Sequence, residues 1–165
     1  MVPGRAGRVA LGVSMGGYGA LRIALTEPAV FAAVATHSAM LLRAIPTATA
    51  GAGRWHLAAF HSAFGDPIDP ALWRAADPLA LAQAAPGEGL PALYFDCGAE
   101  DRFGLYDGNG ELHRRLETRG VPHEFALHPG DHGYEYVRSV LPRSLRFLGR
   151  ALAGAAVPAG ANVQR

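Results

Sequence analysis

Short apolar runs bounded by glycine or proline alternate along this chain with longer stretches of helical spacing. That alternation predicts buried parallel strands joined by helices, a mainly parallel sheet of about four strands covered on both faces. Residues 8–13 read as a first strand and 16–25 as a helix, with Pro28 as its stop. Residues 30–38 read as a second strand, 91–98 as a third and 123–128 as a fourth. Between the third and fourth, 109–119 predicts a helix with Leu112 and Leu116 on one face and Gly120 as its stop. Residues 133–152 predict a last helix carrying Tyr136, Val140, Leu145 and Leu148, with Pro142 near a bend. The stretch 41–85 breaks the rhythm. It sets Trp55, Phe60, Phe64 and Trp73 amid Gly, Pro and Asp, as expected of an insertion with short helices that lines a pocket. One domain over 1–153 with a flexible tail at 154–165 is the organisation these patterns imply.

Composition changes this picture little. With 165 residues, half of them hydrophobic, the chain has enough apolar material for one core. All 15 residues counted as Lys or Arg are arginine, a compositional bias of a chain rich in Ala, Gly and Pro. The formal charge of +1 argues against a nucleic-acid partner held by a broad basic field. The single cysteine, Cys97, rules out an intrachain disulfide. Ser14, Gly16, Gly17 and Gly19 interrupt the apolar stretch after Arg5 and Arg8, so no signal peptide is read and a cytoplasmic location is expected. No apolar run reaches the length of a membrane span.

Chemistry enters at Gly12-Val13-Ser14-Met15-Gly16, a G-x-S-x-G pentapeptide between a strand and a helix. There a serine sits on a strained turn at a helix N-terminus, where the helix dipole favours developing negative charge. A side chain at Gly12 or Gly16 is expected to collide with neighbouring backbone. The N–H of Met15, next to the nucleophile, is the expected oxyanion donor. A serine nucleophile needs a base, and the base needs an orienting acid. The third strand runs into Ala99-Glu100-Asp101, and the fourth into His128-Pro129-Gly130-Asp131-His132-Gly133. Asp101 and His132 are the candidates, just past the C-terminal ends of strands, where open parallel sheets place their sites.

Glu100 is the rival acid. Asp96 lies within a strand and is expected to face the core or a helix. Asp131 reads as a cap of the last helix. His128 reads as strand end or surface, and His37, His56, His61, His113 and His123 as structural or solvated residues. No spacing suggests a metal, a dinucleotide fingerprint or a calcium loop, and Asp107-Gly108-Asn109-Gly110 reads as a turn. No cofactor is expected.

Four segments carry a resemblance: residues 12–21, with the pentapeptide; Phe64-Gly65-Asp66-Pro67 with Trp73 and Asp77-Pro78-Leu79; Asp96-Cys97-Gly98-Ala99-Glu100-Asp101; and Gly130-Asp131-His132-Gly133-Tyr134-Glu135-Tyr136. Together they resemble the putative-esterase family, which includes esterase D (S-formylglutathione hydrolase), feruloyl esterases and the mycolyltransferase antigens. The resemblance implies a truncated α/β-hydrolase fold, a Ser14–Asp101–His132 triad, a small-molecule ester substrate and no cofactor. It favours Asp101 over Glu100.

In that family about four strands precede the nucleophile, and a loop among them gives a second oxyanion donor. The chain therefore resembles the C-terminal catalytic half. Three readings follow: a serine carboxylester hydrolase, an acyltransferase of the same family, or an inactive remnant acting only through association. The first strand is expected to be an apolar edge, open to self-association or to pairing with an N-terminal half.

Overall fold

In a computed structural model, which describes residues 4–47, 54–86 and 88–156, four strands form one parallel sheet in the order β1-β2-β3-β4. They are β1 (Val9–Val13), β2 (Ala33–His37), β3 (Ala92–Gly98) and β4 (His123–His128). The helices are α1 (Met15–Thr26), α2 (Arg54–Phe64), α3 (Pro70–Ala76), α4 (Pro78–Ala84), α5 (Leu105–Thr118) and α6 (Tyr134–Ala156). Every strand lies where the apolar runs put it. The second is shorter than read, since residues 30–32 approach it as irregular chain; the Val30 carbonyl there accepts from Arg8 Nε at 2.7 Å.

Strand alternation splits the core into two faces. On one, Val34, Leu93 and Phe95 pack with Leu21 and Leu25 of α1, Leu79 of α4 and Leu112 and Leu116 of α5. On the other, Ala33, Ala35 and Tyr94 meet Phe147 and Leu148 of α6. Phe60, Phe64, Ile68 and Trp73, all from the 41–85 stretch, close a third cluster with Met40, Cys97 and Leu105. The aromatic residues of that stretch thus build core beneath the strand ends. Its segment 41–46 lines a cavity of about 240 Å³ with Gly104, Asp107 and Gly108. The side chains of Trp55 and His56 lie outside the described residues.

Two expectations are corrected. The turn read at 107–110 is part of α5, which starts four residues early at Leu105. Tertiary packing overrides the local turn signal. Gly108 presses on the Leu41 carbonyl oxygen, 1.9 Å from where a Cβ would stand. Buried Asn109 donates to the carbonyls of Ala39 (2.9 Å) and Leu105 (2.8 Å). Along α6, Phe147 and Leu148 are buried and Leu145 faces solvent. The helix α6 runs through Pro142 and reaches Ala156, so residues 154–156 are helix rather than tail; 157–165 lie outside the described residues.

The two elbow glycines also differ. A Cβ on Gly12 would stand 2.4 Å from the Gly16 carbonyl oxygen and 2.7 Å from the Gly17 nitrogen. A Cβ on Gly16 meets nothing within 4 Å; the second crowded position is Gly17, 2.9 Å from the Ala39 Cβ. We predict that Gly12→Ala destabilises the chain by about 3 kcal/mol, the upper range for overpacking against backbone. Gly16→Ala should leave stability unchanged or raise it by up to about 1 kcal/mol through helix propensity. Equal losses in denaturant melts of the two variants would contradict this difference.

Candidate active site

Ser14 stands between β1 and α1 with φ 53 and ψ −117, a positive-φ conformation that a non-glycine residue seldom occupies. Backbone hydrogen bonds hold it there. Its N–H donates to the His37 carbonyl at 3.0 Å. Its carbonyl accepts from Tyr18 N at 3.1 Å and from Met40 N at 2.9 Å. The turn is therefore fastened both to its own helix and to the end of β2. Met15 is the first residue of α1, so its N–H is one of those a helix leaves without an intrahelical partner. The Ser14 hydroxyl forms no hydrogen bond to the described residues.

The acid and the histidine come from neighbouring loops. His132 Nδ1 lies 2.9 Å from Asp101 Oδ2. The Asp101 side chain is fully buried, and that of His132 is 14% exposed. Asp101 Oδ1 accepts from Phe103 N at 2.9 Å. The Phe103 ring meets the imidazole edge-on, with centroids 4.8 Å apart. Burial pushes the Asp101 carboxyl up. The His132 bond, the Phe103 N–H, the His132 charge and the Ser38 hydroxyl outweigh burial and hold it below the usual range. Gly98 has to be glycine, because a Cβ there would stand 2.3 Å from the Gly130 carbonyl oxygen.

The rival residues have other partners. Glu100 accepts from the Gly130 N–H through a carboxylate oxygen, and its own N–H donates to the Gly130 carbonyl at 3.1 Å. Asp131 does not cap α6. It accepts from Arg102 N (2.7 Å) and His132 N (2.6 Å) and pairs with the Arg102 guanidinium, which holds its carboxyl far below the usual range. It ties the acid loop to the histidine loop.

A second His–Asp pair is sealed in the core on the α6 face. His37 Nδ1 lies 2.9 Å from Asp96 Oδ2, and both side chains are fully buried. Asp96 also accepts from Tyr94 and Tyr136 hydroxyls, each at 2.7 Å, while His37 Nε2 is 3.0 Å from Ser144 Oγ. Burial, then the bond to Asp96, pushes both tyrosines up and keeps them as donors.

His61, His113 and His123 have other partners, while the buried Nε2 of His128 has none among the described residues. His113 Nδ1 is 2.8 Å from His123 Nε2, and His61 pairs with Asp66 at 3.3 Å. His128 ends β4. Among the described residues no three His, Cys, Asp or Glu are grouped to hold a metal ion, and no helix is long and apolar enough to cross a membrane. Ser38 was not singled out by the sequence. It is buried beside Cys97 Sγ at 3.6 Å, and Cys97 is 3.6 Å from Asp101 Oδ2. Its only sequence signal is its place at a strand end next to the elbow.

The model of the family described as Putative esterase matches residues 2–148. The chain belongs to this family. An S-formylglutathione hydrolase of Paracoccus denitrificans (strain Pd 1222) is 33% identical over 140 residues, which are 82% of this chain and 45% of that protein. A ferulic acid esterase of solved structure superposes with a TM-score of 0.68 at 26% identity, covering 92% of this chain and 54% of the other. A fluorophosphonate-binding serine hydrolase of Staphylococcus aureus gives 0.66 at 26% identity, covering 87% and 55%. The chain thus spans about half the length of these relatives, and it has the α/β-hydrolase fold of its structural neighbours, here as four parallel strands in one sheet with flanking helices.

The depressed Asp101 carboxyl has a consequence for stability. A group whose folded pKa is lowered adds stability above its unfolded value, near 3.8, and loses it as pH falls through the folded value. The difference in unfolding free energy between the wild-type chain and Asp101→Asn should therefore be largest above about pH 5 and shrink toward pH 3. Denaturant titrations at both pH values check this. A difference independent of pH would mean that the buried carboxylate is not specifically stabilised.

Proposed function

We propose that this chain carries the catalytic residues of a serine carboxylester hydrolase working through an acyl-enzyme. The observation that supports it best is the His132 Nδ1–Asp101 Oδ2 contact of 2.9 Å, at the same end of the parallel sheet as a strand-end serine of positive φ. With Nδ1 engaged by Asp101, Nε2 is the nitrogen left to act as base. Ser14 Oγ attacks the ester carbonyl carbon and its proton passes to Nε2. The tetrahedral intermediate collapses, the carbon–oxygen bond to the alcohol breaks, and the alcohol leaves with the proton from Nε2. Water then attacks the acyl-enzyme by the same proton route and frees Ser14. Asp101 keeps the imidazole in the required tautomer and stabilises its cation. The Met15 N–H supports the oxyanion. The relatives named as an S-formylglutathione hydrolase and a ferulic acid esterase suggest small-molecule esters as substrates, with no cofactor.

A fluorophosphonate reports an activated serine without knowledge of the substrate. Mass spectrometry after labelling should find the adduct on Ser14, and Ser14→Ala should remove it. An adduct on another residue, or undiminished ester hydrolysis by Ser14→Ala, would refute the nucleophile.

The acid is tested by a pair of variants. Asp101→Asn should lower turnover of a short activated ester on the order of 10³–10⁴-fold, because the imidazole loses its orienting partner. Glu100→Gln should cost less than about tenfold, since the Gln carbonyl can still accept from the Gly130 N–H. Greater damage from Glu100→Gln would assign the acid to the wrong residue.

A further inference from the structure

We propose that Ser38 is a positioning residue for the Asp101–His132 pair, its hydroxyl steadying the Asp101 carboxylate from the end of β2. The proposal deepens the triad reading above and rests on it. Among the described residues only two non-glycine positions have positive φ, Ser14 and Ser38. Ser38 has φ 44. Nothing about a serine favours that conformation; Gly, Asn or Asp would accept it more readily. A strained residue persists where its surroundings over-determine it, and such residues cluster at functional sites.

Three sets of contacts over-determine Ser38. Its N–H donates to the Asp96 carbonyl at 2.8 Å, which fastens the turn to β3. The residues on either side are tied to the elbow: the His37 carbonyl accepts from Ser14 N, and Met40 N donates to the Ser14 carbonyl. The side chain is buried, and the Cys97 thiol donates to its oxygen at 3.6 Å. Burial pushes the Cys97 thiol up to about 12, so Cys97 stays a neutral thiol and does not compete as an anion. The one Cys97 thiol proton lies 3.6 Å by sulfur from both the Ser38 oxygen and Asp101 Oδ2; when Ser38 accepts it, the Ser38 hydroxyl proton is left to donate to Asp101, and the Ser38 hydroxyl is one of the groups that hold the Asp101 carboxyl low. The same turn therefore fixes the backbone of Ser14 on one side and the carboxylate of Asp101 on the other.

Two variants separate the hydroxyl from the strain. Ser38→Ala removes the hydroxyl and keeps a Cβ at positive φ. Ser38→Gly removes the hydroxyl and relieves the strain, so it should melt no lower than Ser38→Ala. Both are followed by two readouts on the full chain. The first is the inactivation rate and affinity of a fluorophosphonate at Ser14. The second is the NMR resonance of the His132 Nδ1 proton, which reports its bond to Asp101 whether or not the chain turns over.

Both variants should slow inactivation about tenfold, the worth of one hydrogen bond to a carboxylate, without weakening inhibitor affinity. Both should shift or broaden the Nδ1 proton, while Ser14→Ala leaves it in place. An unchanged resonance in both Ser38 variants overturns the proposal, and so does full activity of Ser38→Gly beside a defective Ser38→Ala. If the wild-type chain takes no label on Ser14, the triad reading fails, and the Nδ1 resonance alone decides the role of Ser38.

Discussion

The tight turn at Ser14 is the constraint on which the rest of the site depends. It exists because Gly12 has no Cβ, which lets the carbonyl of Gly16 lie where a side chain would otherwise be. The cost is a serine at positive φ, of order 1–3 kcal/mol. Three backbone hydrogen bonds offset it, one from Ser14 N and two to its carbonyl, each contributing about 1 kcal/mol. Two of the three reach the end of β2. The nucleophile is thus set by sheet pairing as much as by its own helix, and its hydroxyl stands at the C-terminal edge of the sheet.

The same sheet separates two His–Asp pairs of nearly identical local geometry. Each has an imidazole Nδ1 2.9 Å from a carboxylate oxygen. What distinguishes them is the face on which each carboxylate lies. Tyr94 and Asp96 alternate with Phe95 and Cys97 along β3. Asp96 therefore turns toward α6, where His37, Tyr94 and Tyr136 surround it, while Cys97 turns toward Ser38 and Asp101. The sealed pair cannot act on a substrate, but it affects the exposed one. Tyr136 lies four residues beyond His132, donates to Asp96, and its ring would lie 2.9 Å from a Cβ on Gly130. It fixes the start of α6 and hence one end of the histidine loop.

Local patterns made much of this legible. The elbow, four strands and the two loops carrying Asp101 and His132 all read from short stretches, because each is set by chain geometry within a few residues. What did not read depends on contacts distant in sequence. The early start of α5 follows from Gly108 against Leu41, and the free space at Gly16 from what the fold leaves around it. Asp131 looked like a helix cap because it stands just before the last helix, yet its partner is Arg102 on another loop. Ser38 shows no local pattern at all: its backbone conformation and its neighbours, Cys97 and Asp101, come from strand pairing.

Asp101 and His132 meet because the pairing of β3 with β4 continues beyond both strands. The parallel register ends at Gly98 opposite His128. Beyond it, Ala99 N donates to the His128 carbonyl at 2.8 Å and Glu100 N to the Gly130 carbonyl at 3.1 Å. The Glu100 carboxylate and Asp131 then close the gap between the loops. The Arg102–Asp131 ion pair is largely exposed, so its charges add little. The backbone N–H groups bound by Asp131 matter more, since they fix where both loops turn. Register is the sheet's most strictly specified property, because a slip of one residue would turn every buried side chain outward. By extending that register into the loops, the fold gives the acid and the base the positional precision of a strand. The nucleophile, held to β2 by the same kind of bond, shares that frame. The imidazole, set on a loop between Gly130 and Gly133, is then the member of the group best placed to move as a catalytic hydrogen bond tightens on substrate.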